Sequence, residues 1–431
     1  MMIRNISIGS FDKFWYQVAF FMMSFYLLAD MLTGFSIIYL GVDLKISLIY
    51  KTLLFFLLLI LLFNLNSKLA IYFLMAILLS FIGCFTSFFI YSTADYLLLD
   101  FLTLIKIFTS ILVFIFLNEL SKVDLEFFNL KSKQVLTFSY TLITSNLLLG
   151  TLGIGKMTYK VGDGETAGST GLIMAGNELG GAFLVVFGYV LFQVWNSQKY
   201  KKYYIFQAGF TLFCGLIVST KTTILAALVL VFFVPLVSER EKLLKMTLLK
   251  LKVFTPLIIV VSVLVYMILD FLERLNLLGR IMWFYEKNGI FGILFSGRDV
   301  MVMERMNTYL DNSSLFQQIF GQGFRIELSE RYMKSSTEVD SVDVLGFYGV
   351  IFLLFISFFY VNRLLLAFKL MRNKSAIDSP VVFLISFLLL CLSQISGHIW
   401  TSGTIAIVFG VLIARCQLEV RLSERSKVIE K

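Results

Sequence analysis

STEVDSVDVLGFYG (residues 336–349) places three carboxylates, Glu338, Asp340 and Asp343, within six positions, where an apolar run begins that continues to residue 361. A polar cluster giving way to about 20 apolar residues marks a membrane boundary, because that length crosses ~30 Å of hydrocarbon. Runs of the same kind recur along the whole chain. They predict about twelve spans, at 14–35, 46–64, 69–91, 96–117, 135–154, 176–195, 204–219, 222–237, 253–269, 342–361, 381–396 and 400–415. Pro380 falls in the first turn of its span, where a missing N–H costs nothing. The fold class expected is an all-α polytopic membrane protein.

Composition supports that class. Of 431 residues, 58% are hydrophobic and 46 are Phe, and the mean hydropathy is +0.87. A soluble domain has nowhere to hide so much apolar surface. The first run follows Arg4 and Lys13 without a small-residue cleavage pattern after it, so it reads as a retained span. Cys84, Cys214 and Cys391 fall inside apolar runs and Cys416 at the end of the last, which predicts no disulfide framework. His398 is the only histidine, so no His/Cys cluster has metal-binding spacing, and neither a metal nor another cofactor is expected.

The net charge of +9 matters through its placement. With the N-terminus in the cytoplasm, the inner segments hold clusters such as Lys122, Lys131 and Lys133, and Arg240, Lys242, Lys245, Lys250 and Lys252. The short outer loops hold only Lys45, Lys156, Lys160 and Lys221. That asymmetry follows the positive-inside rule and puts both termini inside. The chain then divides into a transmembrane bundle over 1–269 (about nine spans), a long outer loop over 270–341, and about three spans with a cytoplasmic tail over 342–431. The loop carries "RDVMVMERMNTYLDN", apolar at roughly helical spacing, which suits a helix in the interface or over the bundle mouth. No internal repeat is visible.

Several stretches could do chemistry. Arg298, in "FSGRDVMVMERM", is a permanently charged planar donor suited to phosphate oxygens, or else a solvated loop arginine. Arg325, after the Gly-x-Gly of "FGQGFRIE", offers the same pair of readings. Lys221, in "VSTKTTIL", is either a snorkelling lysine or part of an anion seat with its Thr neighbours and the following helix N–H groups. Asp340 and Asp343 fit a helix cap. Glu338 lies before that cap, and a carboxylate at an apolar mouth tends to have a raised pKa and can accept a proton. His398, in "SGHIWTSG", falls at the same outer end, as a structural histidine or as an assistant. Within the spans, Asp100 and Lys106 are six apart and point to different helix faces; Lys106 either pairs with Asp30 or lines a cavity.

Taken together, "GNELG" at Asn177, "STKT" at Lys221, "SGRD" at Arg298, "FGQGF", "TEVDSVDVLGFYGVIF" and "SGHIWTSG" resemble, in their order, the bacterial O-antigen polymerase and ligase superfamily. The likeness is to its Wzy-type polysaccharide polymerases and covers the chain from about residue 140 onward. It implies a glycosyltransferase type C-like bundle of about twelve spans with one long extracytoplasmic loop, in a bacterial cytoplasmic membrane. It also implies an inverting, metal-independent transfer from a polyprenyl-pyrophosphate-linked oligosaccharide, with Glu338 as base. Arg298, Lys221 and Arg325 would hold the pyrophosphate, and Asp340, Asp343, His398 and Asn177 would support the site. Ligase members place a His where this chain has Glu338, a departure that fits polymerases and leaves His398 as an alternative base. The partners implied are the lipid-linked substrate and the bilayer, with room for a chain-length regulator protein and none for nucleic acid. Two alternatives remain open: a ligase acting on a lipid or protein acceptor, and a flippase for lipid-linked oligosaccharides.

Overall fold

The structure, a computed structural model, describes residues 10–91, 94–160, 166–242, 297–325 and 336–429, with scattered positions between 251 and 295. The described helices are α1 (Ser10–Tyr39), α2 (Ile46–Leu65), α3 (Ser67–Ser80), α4 (Ile82–Tyr91), α5 (Ala94–Val123), α6 (Leu125–Thr151), α7 (Gly176–Asn196), α8 (Tyr204–Val218) and α9 (Lys221–Ser238). They continue with α10 (Arg298–Asn312), α11 (Leu315–Phe320), α12 (Asp340–Met371), α13 (Ser379–Ile395), α14 (Gly403–Ala414) and α15 (Cys416–Ile429). Strands β1 (Lys156–Lys160) and β2 (Thr166–Gly171) lie between α6 and α7.

Among the described residues, seven helical segments are long and apolar enough to cross a membrane: Lys13–Tyr39, Ile46–Leu65, Ser67–Ile90, Tyr96–Val123, Gly176–Asn196, Lys221–Ser238 and Asp340–Met371. Ser379–Ile395 is a shorter apolar helix. The chain is thus an α-helical membrane protein. The expected span at 135–154 lies within α6, while those at 204–219 and 400–415 form helices of only 15 and 12 residues. The expected span at 253–269 and most of the long loop lie outside the described residues.

The β-hairpin is a departure from the all-α expectation. β1 and β2 pair antiparallel, with Met157 opposite Ser169 and Tyr159 opposite Ala167. Side chains from the bundle anchor the hairpin. Asn146 of α6 donates to the Thr170 carbonyl (2.8 Å) and accepts from the Leu172 N–H (2.7 Å), and Thr158 donates to the Val218 carbonyl (2.8 Å).

The core centres on α14, every residue of which is buried, packed against α5 and α7. Helices α5, α7, α9 and α14 run in the same direction, as neighbouring residues show. An added Cβ on Gly410 would meet Ser110 and Val113 of α5, one on Gly181 would meet Ile405, and one on Gly180 would meet Thr223. The polar starts of α7, α9, α12 and α14 therefore share one end of the bundle. At the far end, Arg415 counts with the tail by charge alone, yet it is buried with Asp378 (0% and 1% exposed). Its guanidinium also donates to Ser132 (2.7 Å) and Asn129 (2.9 Å), and Gln193 donates to Asp378 (3.1 Å). That network ties α6, α7, α13 and α14 together.

Candidate active site

The carboxylates of the 336–349 stretch divide their work in a way their spacing does not reveal. The helix-cap reading does not hold for Asp340: the residue capping α12 is Val339, which makes no side-chain capping bond. Asp340 instead reaches the segment before α14, where its Oδ2 accepts from the N–H groups of Ile399 (2.8 Å) and Trp400 (3.0 Å). Asp343 does reach back along its own chain. It accepts from the Thr337 N–H (2.7 Å) and hydroxyl (2.8 Å), the Ser336 hydroxyl (2.5 Å) and the Glu338 N–H (3.2 Å). Four donors on one carboxylate fix the loop that carries Glu338.

That loop holds Glu338 at φ +59 and, across from it, His398 at φ +58. Left-handed backbone costs a residue with a Cβ about 1–2 kcal/mol, and such residues gather at functional sites. Gly397 explains how the two loops meet: a Cβ there would lie 2.2 Å from the Glu338 carbonyl oxygen. His398 is half-buried between this contact and the Ile399 N–H that Asp340 holds.

Arg298 opens α10 directly after Gly297, whose φ is +87. Its guanidinium donates twice to Glu338 Oε2, from Nη2 (2.6 Å) and Nε (3.1 Å), and once to the Phe295 carbonyl (3.4 Å). Both side chains keep some exposure, 17% for Arg298 and 22% for Glu338. A partly open ion pair of this kind aims a carboxylate, while leaving the arginine able to change partners.

Arg305 belongs to this arrangement and is not among the site residues the sequence suggests. It is 1% exposed and lies 5.2 Å over the Phe347 ring of α12, which docks α10 on α12. Burial pushes its guanidinium down to about 10, against the opposing pull of the Asp343 charge. The signal was the spacing: Met301, Arg305 and Tyr309 form one buried helix face.

The "FGQGF" segment packs across a break in α12 at Gly349, where φ is +78 and ψ 177. A Cβ on Gly349 would sit 2.3 Å from the Ile319 carbonyl oxygen. Asp100 accepts from the Phe324 N–H (3.0 Å), and Phe324 stacks on Phe347 at 4.2 Å. Asp100 therefore anchors this segment. The backbone of Arg325 ends the turn Gly323–Arg325, and its side chain lies outside the described residues.

Lys221 is exposed in the first turn of α9. Its neighbour Thr220 spends its hydroxyl on capping that helix, accepting from the Thr223 N–H (3.2 Å). Asn177 is half-buried in the first turn of α7, beside this helix start. So Glu338, Arg298, Asp340, Asp343 and His398 converge, while Lys221 and Asn177 share the same end on neighbouring helices. Among the described residues, no group of three His, Cys, Asp or Glu is placed to hold a metal ion. No protein-family model, no curated protein and no solved structure matches the chain.

Proposed function

We propose that the chain polymerises polyprenyl-pyrophosphate-linked oligosaccharide units into a surface polysaccharide on the outer face of a bacterial cytoplasmic membrane. The observation that supports this reading best is the Arg298–Glu338 pair, held at the end of an apolar bundle by two aspartates. Glu338 accepts the proton of an acceptor sugar hydroxyl. The oxygen so activated attacks the anomeric carbon of the donor, and the bond from that carbon to the pyrophosphate oxygen breaks on the opposite face. The pyrophosphate leaves with the electron pair, and the new linkage is inverted.

Arg298 serves twice. In the resting pair it aims Glu338, and it turns to the pyrophosphate as charge develops there. Lys221 and Arg325 add further cations for the leaving group. Fixed donors of this kind act on the transition state, and losing one typically costs on the order of 10²–10³ in rate. Substrates borne on lipids account for a site at the end of the spans instead of in a soluble domain.

The test uses purified protein with lipid-linked units taken from cells that lack the polymerising step. The reading expects a ladder of products and inverted linkages by NMR, both lost in Glu338→Gln. Transfer with retention, or no transfer to a second lipid-linked unit, overturns it.

A further inference from the structure

A polar cavity, of about 390 Å³, opens among α1, α2, α5, α7 and the start of α14. Neither Glu338 nor Arg298 lines it. The segment 396–402 stands between the two: its Gly397 end packs on Glu338, while Gly403, just past its other end, lies against the stems of Lys51 and Lys106 (3.5 Å for an added Cβ).

The charges in the cavity are unevenly matched. Asp30 holds Lys51 with both oxygens (2.6 and 2.9 Å) and accepts from the Thr404 hydroxyl (3.0 Å). Asp43 and Lys45 pair at the rim. Glu178 accepts from the Ser402 hydroxyl (2.6 Å). Glu178 and Lys106 are the two charges of this lining outside an ion pair among the described residues. Lys106 is half-buried within the span Tyr96–Val123, and among the described residues no carboxylate lies within ion-pair distance of it. The sequence leaves open a Lys106–Asp30 pair, and the structure gives Asp30 to Lys51 instead.

A cation at membrane depth is costly, and such residues mark substrate or ion sites. The same lining includes the apolar Leu48, Leu99 and Leu102, and Leu99 is exposed. We propose that this cavity binds the phosphate headgroup of a membrane lipid, with Lys106 taking the anion, Glu178 and Thr404 meeting hydroxyls next to it, and the leucines meeting its chain. Where this rests on the polymerase reading, the occupant is the second of the two lipid-linked substrates that reaction needs.

The test is binding to the full chain in a phosphate-free detergent, with farnesyl phosphate as the probe and inorganic phosphate as the chain-free control. Arg298→Ala/Lys221→Ala/Arg325→Ala serves as background, to remove the anion donors of the first site. There, Lys106→Gln should weaken farnesyl phosphate binding by about tenfold, the order expected for one charge-assisted bond. Lys106→Arg should restore binding, and inorganic phosphate should bind far more weakly than the lipid. Lys106→Met checks that charge loss and not the new amide is responsible. Unchanged affinity in both Lys106→Gln and Lys106→Met overturns the site. Equal binding of inorganic phosphate overturns the lipid as its source. The assay needs no glycan and no turnover, so this inference and the polymerase reading fail separately.

Discussion

Replacing Asp343 by Asn keeps the shape of the side chain and removes its charge. The carboxylate accepts four hydrogen bonds from Ser336, Thr337 and Glu338. An amide keeps one acceptor oxygen and turns a donor toward the donors on the other side. On either side the bond from a backbone N–H is lost, since the hydroxyl there can rotate to accept; that costs about 1.5–3 kcal/mol for a charged acceptor, and the bonds that remain lose their charge assistance as well. Together these losses exceed the ~1–2 kcal/mol by which the left-handed conformation is disfavoured, so the loop relaxes and Glu338 leaves φ +59. A displacement of ~1 Å at a reacting group costs on the order of 10² in rate. Asp343→Asn should therefore lower kcat about 100-fold with little change in KM, measured on purified protein with lipid-linked units. Thr337→Val, which removes one of the four bonds and keeps the charge, should lose less. A wild-type kcat in Asp343→Asn would refute the claim that this carboxylate positions Glu338.

Three further outcomes follow from the geometry. Gly397→Ala puts a methyl 2.2 Å from the Glu338 carbonyl oxygen at φ +57; products should be lost while the protein still reaches the membrane, as immunoblotting checks. Arg305→Ala removes the guanidinium packed over Phe347, a contact worth ~2 kcal/mol when desolvated. It should lower the transfer rate more than about tenfold by loosening the helix that carries Arg298, and Arg305→Lys should restore only part of it, since an ammonium lacks the planar stacking face. Asp378→Ala strands Arg415 in the core, where breaking a buried pair costs about 3–5 kcal/mol; thermal melting in detergent should fall markedly, with no such fall for the exposed Lys374→Gln.

The apolar runs were legible because hydrocarbon thickness imposes its length on each of them. The expected spans from 14–35 to 96–117, with those at 176–195, 222–237 and 342–361, each correspond to a long apolar helix. The run at 400–415 holds a helix of 12 residues capped by Ser402, and the residues before it serve as a loop for Asp340, a role that length does not reveal. The hairpin at 156–171 was hidden because its anchors, Asn146 and Val218, lie on other helices. Within the site, residue types could be read from the sequence but partners could not. Arg298 and Glu338 are 40 positions apart, and Asp340 reaches 59 positions to Ile399. Lys51 escaped notice as the partner of Asp30 because nothing in the spacing brings α1 and α2 into register. Arg305 was within reach, since a charge on the apolar face of an amphipathic helix is visible in its periodicity.

The central claim is that Glu338, aimed by Arg298, carries out the linking of lipid-borne glycans. The most direct measurement is glycan chain length in cells lacking this protein and complemented with wild type, Glu338→Gln, Arg298→Ala or Lys221→Ala, each confirmed in the membrane. A ladder from the wild type and single repeat units from Glu338→Gln and Arg298→Ala are the result expected. A ladder that survives both substitutions contradicts the assigned site, and a ladder in the cells lacking the protein contradicts the assigned reaction.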